Sequence, residues 1–414
     1  MKKFALIFIL LLFLFVACSG DDSADTEPTE TEAETERATE PLAIAEPPEE
    51  EEPEEDFEEE EGYAWWMDGY EEEEAPEEIV RERARHFCFL TGREVSFSRQ
   101  RRRPVAIVIN NIRQAQPTYG TGAADIIYEF LIEGGQARLM MLLTDYERVP
   151  VFGSIRSARN YFIDIVQGHD AIFVHAGGTT GPGMAYAVMN YRNIDRIDGV
   201  NRVERRDGFR MSFHESFFRD AERRRTMAFE HTLMTSGEGI ASGIRRAGYR
   251  ARHNSEFQGS FRFHREFQQL PGGVDNIANY VAVPFSGNTV PEFIFNPADG
   301  LYYRRQFGAA HIDAATGEQL RFENVIVMFA EYTDLRTPQG YLSCQLTGTG
   351  FGFYITGGRF VTITWRKDTH DSQLYFFNLD GSYLYLNPGR TFICVTSTAF
   401  NKRVVINADL HDIG

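Results

Sequence analysis

The chain has 414 residues, room for two domains of ordinary size, and a formal net charge of −19, whose acidic part would repel the phosphates of a nucleic acid. The charge is unevenly spread. Residues 21–78 hold 28 Asp or Glu against one base, Arg37, so a segment of −27 stands apart from a body that carries +6 over 79–414 once Lys2 and Lys3 are set aside.

At the N-terminus, Lys2 and Lys3 precede a thirteen-residue apolar run, "FALIFILLLFLFV", too short for a comfortable membrane span and right for a signal peptide. The run closes in "FVAC", which resembles a bacterial lipobox. Residues 1–18 therefore read as a lipoprotein signal whose Cys18 is lipidated, and the protein is expected on the extracytoplasmic face of the cell membrane, held there by acyl chains. Residues 19–82 are low-complexity and acidic, with too few apolar residues for a core, and read as an extended tether. Trp65, Trp66 and Met67 interrupt it, either as a patch that docks on the basic body or as a short motif for a protein partner. Three further cysteines, Cys88, Cys344 and Cys394, are an odd number, and no disulfide framework is read from them.

Order is expected from about Glu78, with "EEIVRERARHFCFLTG" as a short helix closed by Gly92. "VAIVIN" (105–110) reads as a buried strand. "DIIYEFLIEGGQARLMMLLT" (125–144) reads as a hairpin whose two-residue turn is Gly134-Gly135. That pairing sets Glu133 opposite Gln136 and Glu129 opposite Met140, and places Glu129, Glu133, Gln136 and Arg138 on one face. In "GSIRSARNYF" (153–162), Ser157 is a natural N-cap for a helix whose apolar face is Ala158, Tyr161, Phe162, Ile165 and Val166. "DAIFVH" (170–175) is a second strand, "AGGTTGPG" a glycine-rich turn, and "GEGIASGIRRAGY" (237–249) a closing helix. The pattern predicts an α/β domain, a layered mixed sheet, over 83–255. From about 275, short aromatic and β-branched runs separated by turn signals predict a β-rich C-terminal domain over 270–414.

Several of these stretches resemble the YerB-like lipoprotein family: "LTG" at 90–92, "RPVAIVINN", "ADIIYEFLIEGGQARLMMLL", "GSIRSARNYFIDIVQGHDAIFVHAGG", "YYRR" with His311 and Asp313, "ENVIVMF" and "LYLNPGRTFICV". The resemblance covers nearly all of 88–398 and implies an α/β N-terminal domain and a C-terminal domain on a lipid-anchored protein of mostly Gram-positive bacteria. Its domains have no assigned function, so no catalytic residue is carried over. At "FEHTLMTS", Thr232 follows His231 where the family often has Asn.

Arg156 and Arg159 stand where a helix start is already positive and normally recruits acid. With Ser157 and Arg138 they form a candidate anion site for phosphate or carboxylate. The internal alternative is an ion-pair network with Glu129, Glu133 or Asp164. Asp164 is counted with the ligand-binding residues, and Glu129, Glu133, Asp164 and His175 are the candidates for acid–base work, should the protein be an envelope hydrolase or transferase acting on an anionic wall polymer. A binding or organising protein of the envelope is the first reading, and an enzyme the second. His311 and Asp313 share a strand face and could ligate or simply hydrogen-bond, but no metal is assigned, for there is neither HExxH nor a paired CxxC. No GxSxG, SxxK or phosphate-loop motif occurs, and no cofactor is expected.

Overall fold

The computed structural model describes residues 85–204 and 207–407, so Cys18, the tether and Trp65, Trp66 and Met67 lie outside the described residues. In the N-terminal half, strand β1 is Val105–Asn110, β2 Ile126–Ile132 and β3 Gln136–Leu143. Helix α1 (Asn160–Gly168) follows, then β4 (Ile172–His175), α2 (Ala185–Tyr191), β5 (Arg196–Asp198) and α3 (Gly237–Ala247). The C-terminal half contributes β6 (Asn324–Asp334), β7 (Leu342–Gln345), β8 (Gly348–Thr356), β9 (Arg359–Lys367), β10 (Tyr375–Phe377) and β11 (Thr391–Ser397). The first half is α/β and the second β-rich, as the patterning predicts.

These eleven strands form one sheet, ordered β10-β9-β8-β6-β11-β2-β3-β1-β4-β5, with β7 paired to β6. The seam between the halves is β11, which runs parallel to β6 on one side and to β2 on the other, Thr391 opposite Ile126 and Val395 opposite Phe130. All seven residues of β2 and all seven of β11 are buried, as befits strands covered on both faces. One face carries Ile107, Ile127, Leu139, Val327 and Phe392 under α3, where Ile240 and Ile244 pack. A six-stranded sheet that includes Tyr280–Ala282, Glu292–Asn296 and Leu301–Gln306 adds Val281, Phe293 and Tyr302 to that core. The other face carries Val108, Tyr128, Phe130, Met140 and Ile393 beneath Phe162, Ile165 and Val166 of α1. The α/β and β-rich parts read from the sequence share this sheet and form its two halves. The N-terminal helix is corrected for its described part: His86–Phe87 pairs antiparallel with Glu94–Val95 around a turn at Gly92, whose φ is +64°.

The hairpin differs from expectation by one residue. Its turn has three residues, Glu133–Gly135, with Gly134 and Gly135 at φ 71° and 67°, and the pair that closes it is Ile132–Gln136 rather than Glu133–Gln136. Glu129 now faces Leu139 and Arg138 faces Phe130. A one-residue slip moves a side chain to the opposite face of a strand. Glu129 accordingly points to the side of Ile127 and Leu139, and Arg138 to the side of Met140 and Leu142. The carboxylate and guanidinium expected side by side are separated by the sheet.

Candidate functional site

Strands β1, β4 and β5 are parallel, and the first residues of β3 reach their carboxyl ends, where Arg138 stands opposite Asn110. In open α/β sheets this edge is where ligands bind. Residues 153–159 run along it in extended form. Ile155 N–H donates to Leu233 C=O at 2.7 Å, Arg156 N–H to Val108 C=O at 3.0 Å and Ala158 N–H to Gly177 C=O at 2.9 Å, while Arg156 C=O accepts from Ala176 N–H at 3.0 Å. Those bonds hold the segment as strand-like backbone, so Ser157 is not an N-cap. The helix α1 begins at Asn160, and extended Arg159 precedes it without a side-chain cap. The carbonyl of Ser157 turns instead toward the arginines.

Three guanidinium groups gather there around one carboxylate, Glu133. Arg159 takes that carboxylate with two nitrogens: Nε donates to Oε2 at 3.0 Å and Nη2 to Oε1. Its Nη1 donates to Ala158 C=O at 3.0 Å, and the ring of Tyr341, from the C-terminal half, lies 5.4 Å from its guanidinium carbon. Arg138 is only 3% exposed and donates through Nη1 to Ser157 C=O at 2.7 Å. Arg156 is half-buried and donates through Nη1 to Glu230 C=O at 3.3 Å. The Nε groups of both Arg138 and Arg156 are buried without a hydrogen-bond partner.

The electrostatics follow from that count. Burial, then the positive charges of Arg159 and Arg156, press the Arg138 guanidinium well below its ordinary range. Burial presses Arg156 down as well, opposed by Glu230 and assisted by Arg159. Burial alone would raise Glu133, but its bonds to Arg159 and the charge of Arg138 hold its carboxyl below the usual range. A guanidinium does not shed its proton in proteins. The positive charge therefore persists in a site partly withdrawn from water, where it interacts more strongly than at an open surface.

The other residues singled out from the sequence lie elsewhere. Glu129 is fully buried, takes Arg304 Nη2 at 2.8 Å and Asn111 Nδ2 at 2.7 Å, and does not join the arginines of the edge. Asp164, on α1, is shared between Arg192 Nη1 at 2.6 Å and His370 Nδ1 at 3.0 Å. His175 has no exposed surface; its Nδ1 donates to Gly177 C=O at 2.8 Å, which leaves Nε2 as a buried acceptor with no partner. His311 and Asp313 spend their polar atoms on structure. Arg304 Nη1 donates to His311 Nδ1, so Nε2–H faces the Thr118 hydroxyl at 2.9 Å. Asp313 accepts the Gly120 and Gly122 amides at 2.8 and 2.7 Å.

Three residues that the sequence reading did not assign to the site take part in these contacts: His231, Glu230 and Arg304. His231 meets the side-chain amide of Asn110 at 3.0 Å, and its neighbour Glu230 holds Arg156 through its carbonyl. Nothing local in "FEHT" places that loop on the sheet edge. Arg304 did carry a signal, because Tyr302, Arg304 and Gln306 are the inward positions of an alternating strand and an arginine there requires a buried counter-ion.

Comparison with known proteins agrees with this architecture. Residues 90–250 match the family model described as the N-terminal domain of a protein of unknown function (DUF3048), and residues 281–393 match its C-terminal domain. The chain is 26% identical over 307 residues to "Putative lipoprotein YerB" of Bacillus subtilis, which spans 73% of this chain and 84% of that one. The crystal structure of the Bacillus subtilis YerB protein shares the fold with a TM-score of 0.64 at 24% identity, covering 78% of this chain and 99% of that one.

Proposed function

The chain belongs to the family built from the two DUF3048 domains, and on that premise we propose that it is an extracytoplasmic lipoprotein, anchored through Cys18, that binds an anionic ligand of the cell envelope at Arg138, Arg156 and Arg159. The observation that carries the binding half is the arginine excess on the sheet edge: one carboxylate, Glu133, already held by Arg159, beside Arg138 and Arg156, each with a buried unpartnered Nε. The anchoring half is supported by the lipobox-like "FVAC" and by the name of the Bacillus subtilis relative, which calls it a lipoprotein. Among the described residues no helix is long and apolar enough to cross a membrane. Binding is preferred to hydrolysis because every acid–base candidate is engaged or sealed: Glu129 is taken by Arg304 and Asn111, Asp164 by Arg192 and His370, and Glu133 by Arg159, which holds its carboxyl below the usual range, while His175 has no exposed surface.

Calorimetry with inorganic phosphate and with isolated anionic wall polymer tests the site. Saturable binding that Arg156→Gln weakens about tenfold, with an unchanged thermal transition, is the expected result. A folded Arg156→Gln protein with unaltered affinity sinks the assignment. For the anchor, the full-length chain is expected in the detergent phase and Cys18→Ala in the aqueous one. Equal partitioning overturns it.

A further inference from the structure

We infer that the group bound at this edge is a dianion, a terminal phosphomonoester, rather than a carboxylate or a phosphodiester. The inference rests on the binding reading above and comes from counting charge. Arg138, Arg156 and Arg159 against Glu133 leave an excess of two positive charges. Of the groups further out that act electrostatically on Arg156, Arg219 and Glu230 are of opposite sign. Tyr161 near Arg138 is uncharged, its phenol driven further up by burial. His231 is held toward its neutral form by burial and by Arg156 and Arg223, against Glu230. A monoanion would leave one buried guanidinium uncompensated, and burying a charge without a partner is costly.

The donors available fit the same group. Arg159 is consumed by Glu133, with two nitrogens on the carboxylate and the third on a carbonyl. Arg138 and Arg156 each spend one Nη on a carbonyl and keep a buried Nε free. The planar guanidinium fork suits phosphate oxygens, and two forks on one phosphoryl group neutralise its two charges. Helix α1 starts at Asn160, directly after Arg159, and directs the positive end of its dipole toward the same edge. Arg156, Ser157 and Asn160 are the half-buried residues of this edge, so a ligand approaches from their side; a phosphodiester brings a single charge and leaves the second guanidinium uncompensated, whereas a monoester brings two.

The test is a comparison of probes at constant pH near 7.5, where a phosphomonoester is doubly charged because its second pKa is about 6. The full chain in detergent micelles is titrated with methyl phosphate, dimethyl phosphate and acetate. Methyl phosphate is expected to bind at least tenfold more tightly than either monoanion, and Arg156→Gln, which lowers the excess charge by one, is expected to erase most of that preference. Arg156→Lys keeps the charge and is expected to retain part of it. Equal affinities for the three probes overturn the dianion inference while leaving an anion site standing. Absence of binding by all three overturns the site itself. Nanodiscs containing phosphatidic acid or phosphatidylglycerol then distinguish the source: a preference for the former supports a lipid-borne monoester, and a preference confined to methyl phosphate supports a soluble or polymer-end one.

Discussion

Arg304 and Glu129 meet at 2.8 Å with neither side chain exposed to solvent, and the contact joins a strand of the C-terminal half to β2 of the N-terminal half. Around it Asn111, Gln306, His311 and Thr118 supply further hydrogen bonds. Removing one partner strands the other charge in the core. We expect Glu129→Ala or Arg304→Ala to destabilise the protein by about 3–5 kcal/mol, and the double replacement Glu129→Leu/Arg304→Met to cost much less. Urea unfolding of the three variants checks this; a double variant as unstable as the sum of the singles would contradict it.

Among the described residues Glu133 is the one carboxylate in contact with the arginine group, and it stays partly exposed at 23%. We expect Glu133→Gln to lower stability by about 1.5–3 kcal/mol, toward the smaller figure because of that exposure. The same change raises the excess charge of the site, so affinity for methyl phosphate should increase. Stability falling while affinity also falls would show that Glu133 positions Arg159 rather than merely balancing it.

Three histidines set the acid limb of stability. Burial, with the charges of Lys367 and His253, pushes His169 down to about 3. Burial lowers His175 against the pull of Asp198, and burial with Arg304 holds His311 well below its ordinary value. In the unfolded chain each titrates near 6.5. The folded state keeps them neutral while the unfolded state gains protons, so stability is present above pH 6.5 and is lost as pH falls below it. Each contributes a slope of at most about 1.4 kcal/mol per pH unit, and only between pH 6.5 and its own folded-state value. Urea midpoints at pH 7.5, 6.0 and 5.0 should decline in that order. A flat profile down to pH 5 would mean that these rings are not sealed.

Gly237 opens α3 with a close approach to another loop. A Cβ there would lie 1.9 Å from the Tyr146 carbonyl oxygen and 2.7 Å from the Glu147 backbone. Those are backbone atoms and cannot rotate aside. We expect Gly237→Ala to cost at least about 2 kcal/mol, although alanine is the better helix former. A melting temperature equal to or above that of the native chain would refute the contact.

Legibility from the sequence depended on whether local chemistry was decisive. β1 and β4 are runs of apolar residues with no competing reading, and α3 is framed by Ser236, whose hydroxyl accepts from Gly239 N–H at 3.0 Å, and by Gly248 at φ 65°. The hairpin failed by one residue because Gly134-Gly135 satisfies a two-residue turn as well as a three-residue one, and only burial of the flanking strands decides between them. The arginine group was visible as an oddity at a helix start, yet its frame was not. The bonds that hold 153–159 extended reach Val108, Gly177 and Leu233, and no local pattern reports them. Glu129 was assigned to the wrong partner for the same reason, since Arg304 lies 175 positions further along the chain.

The position of β11 bears on how such a protein is made. Residues 391–397 fill the centre of the sheet, between β6 and β2. Until that strand arrives, two long apolar edges stand open, and open edges invite pairing with other chains. The fold cannot be completed domain by domain from the N-terminus; its middle is closed nearly last. A polypeptide cut short before Thr391 should therefore be an aggregating species rather than a smaller working one.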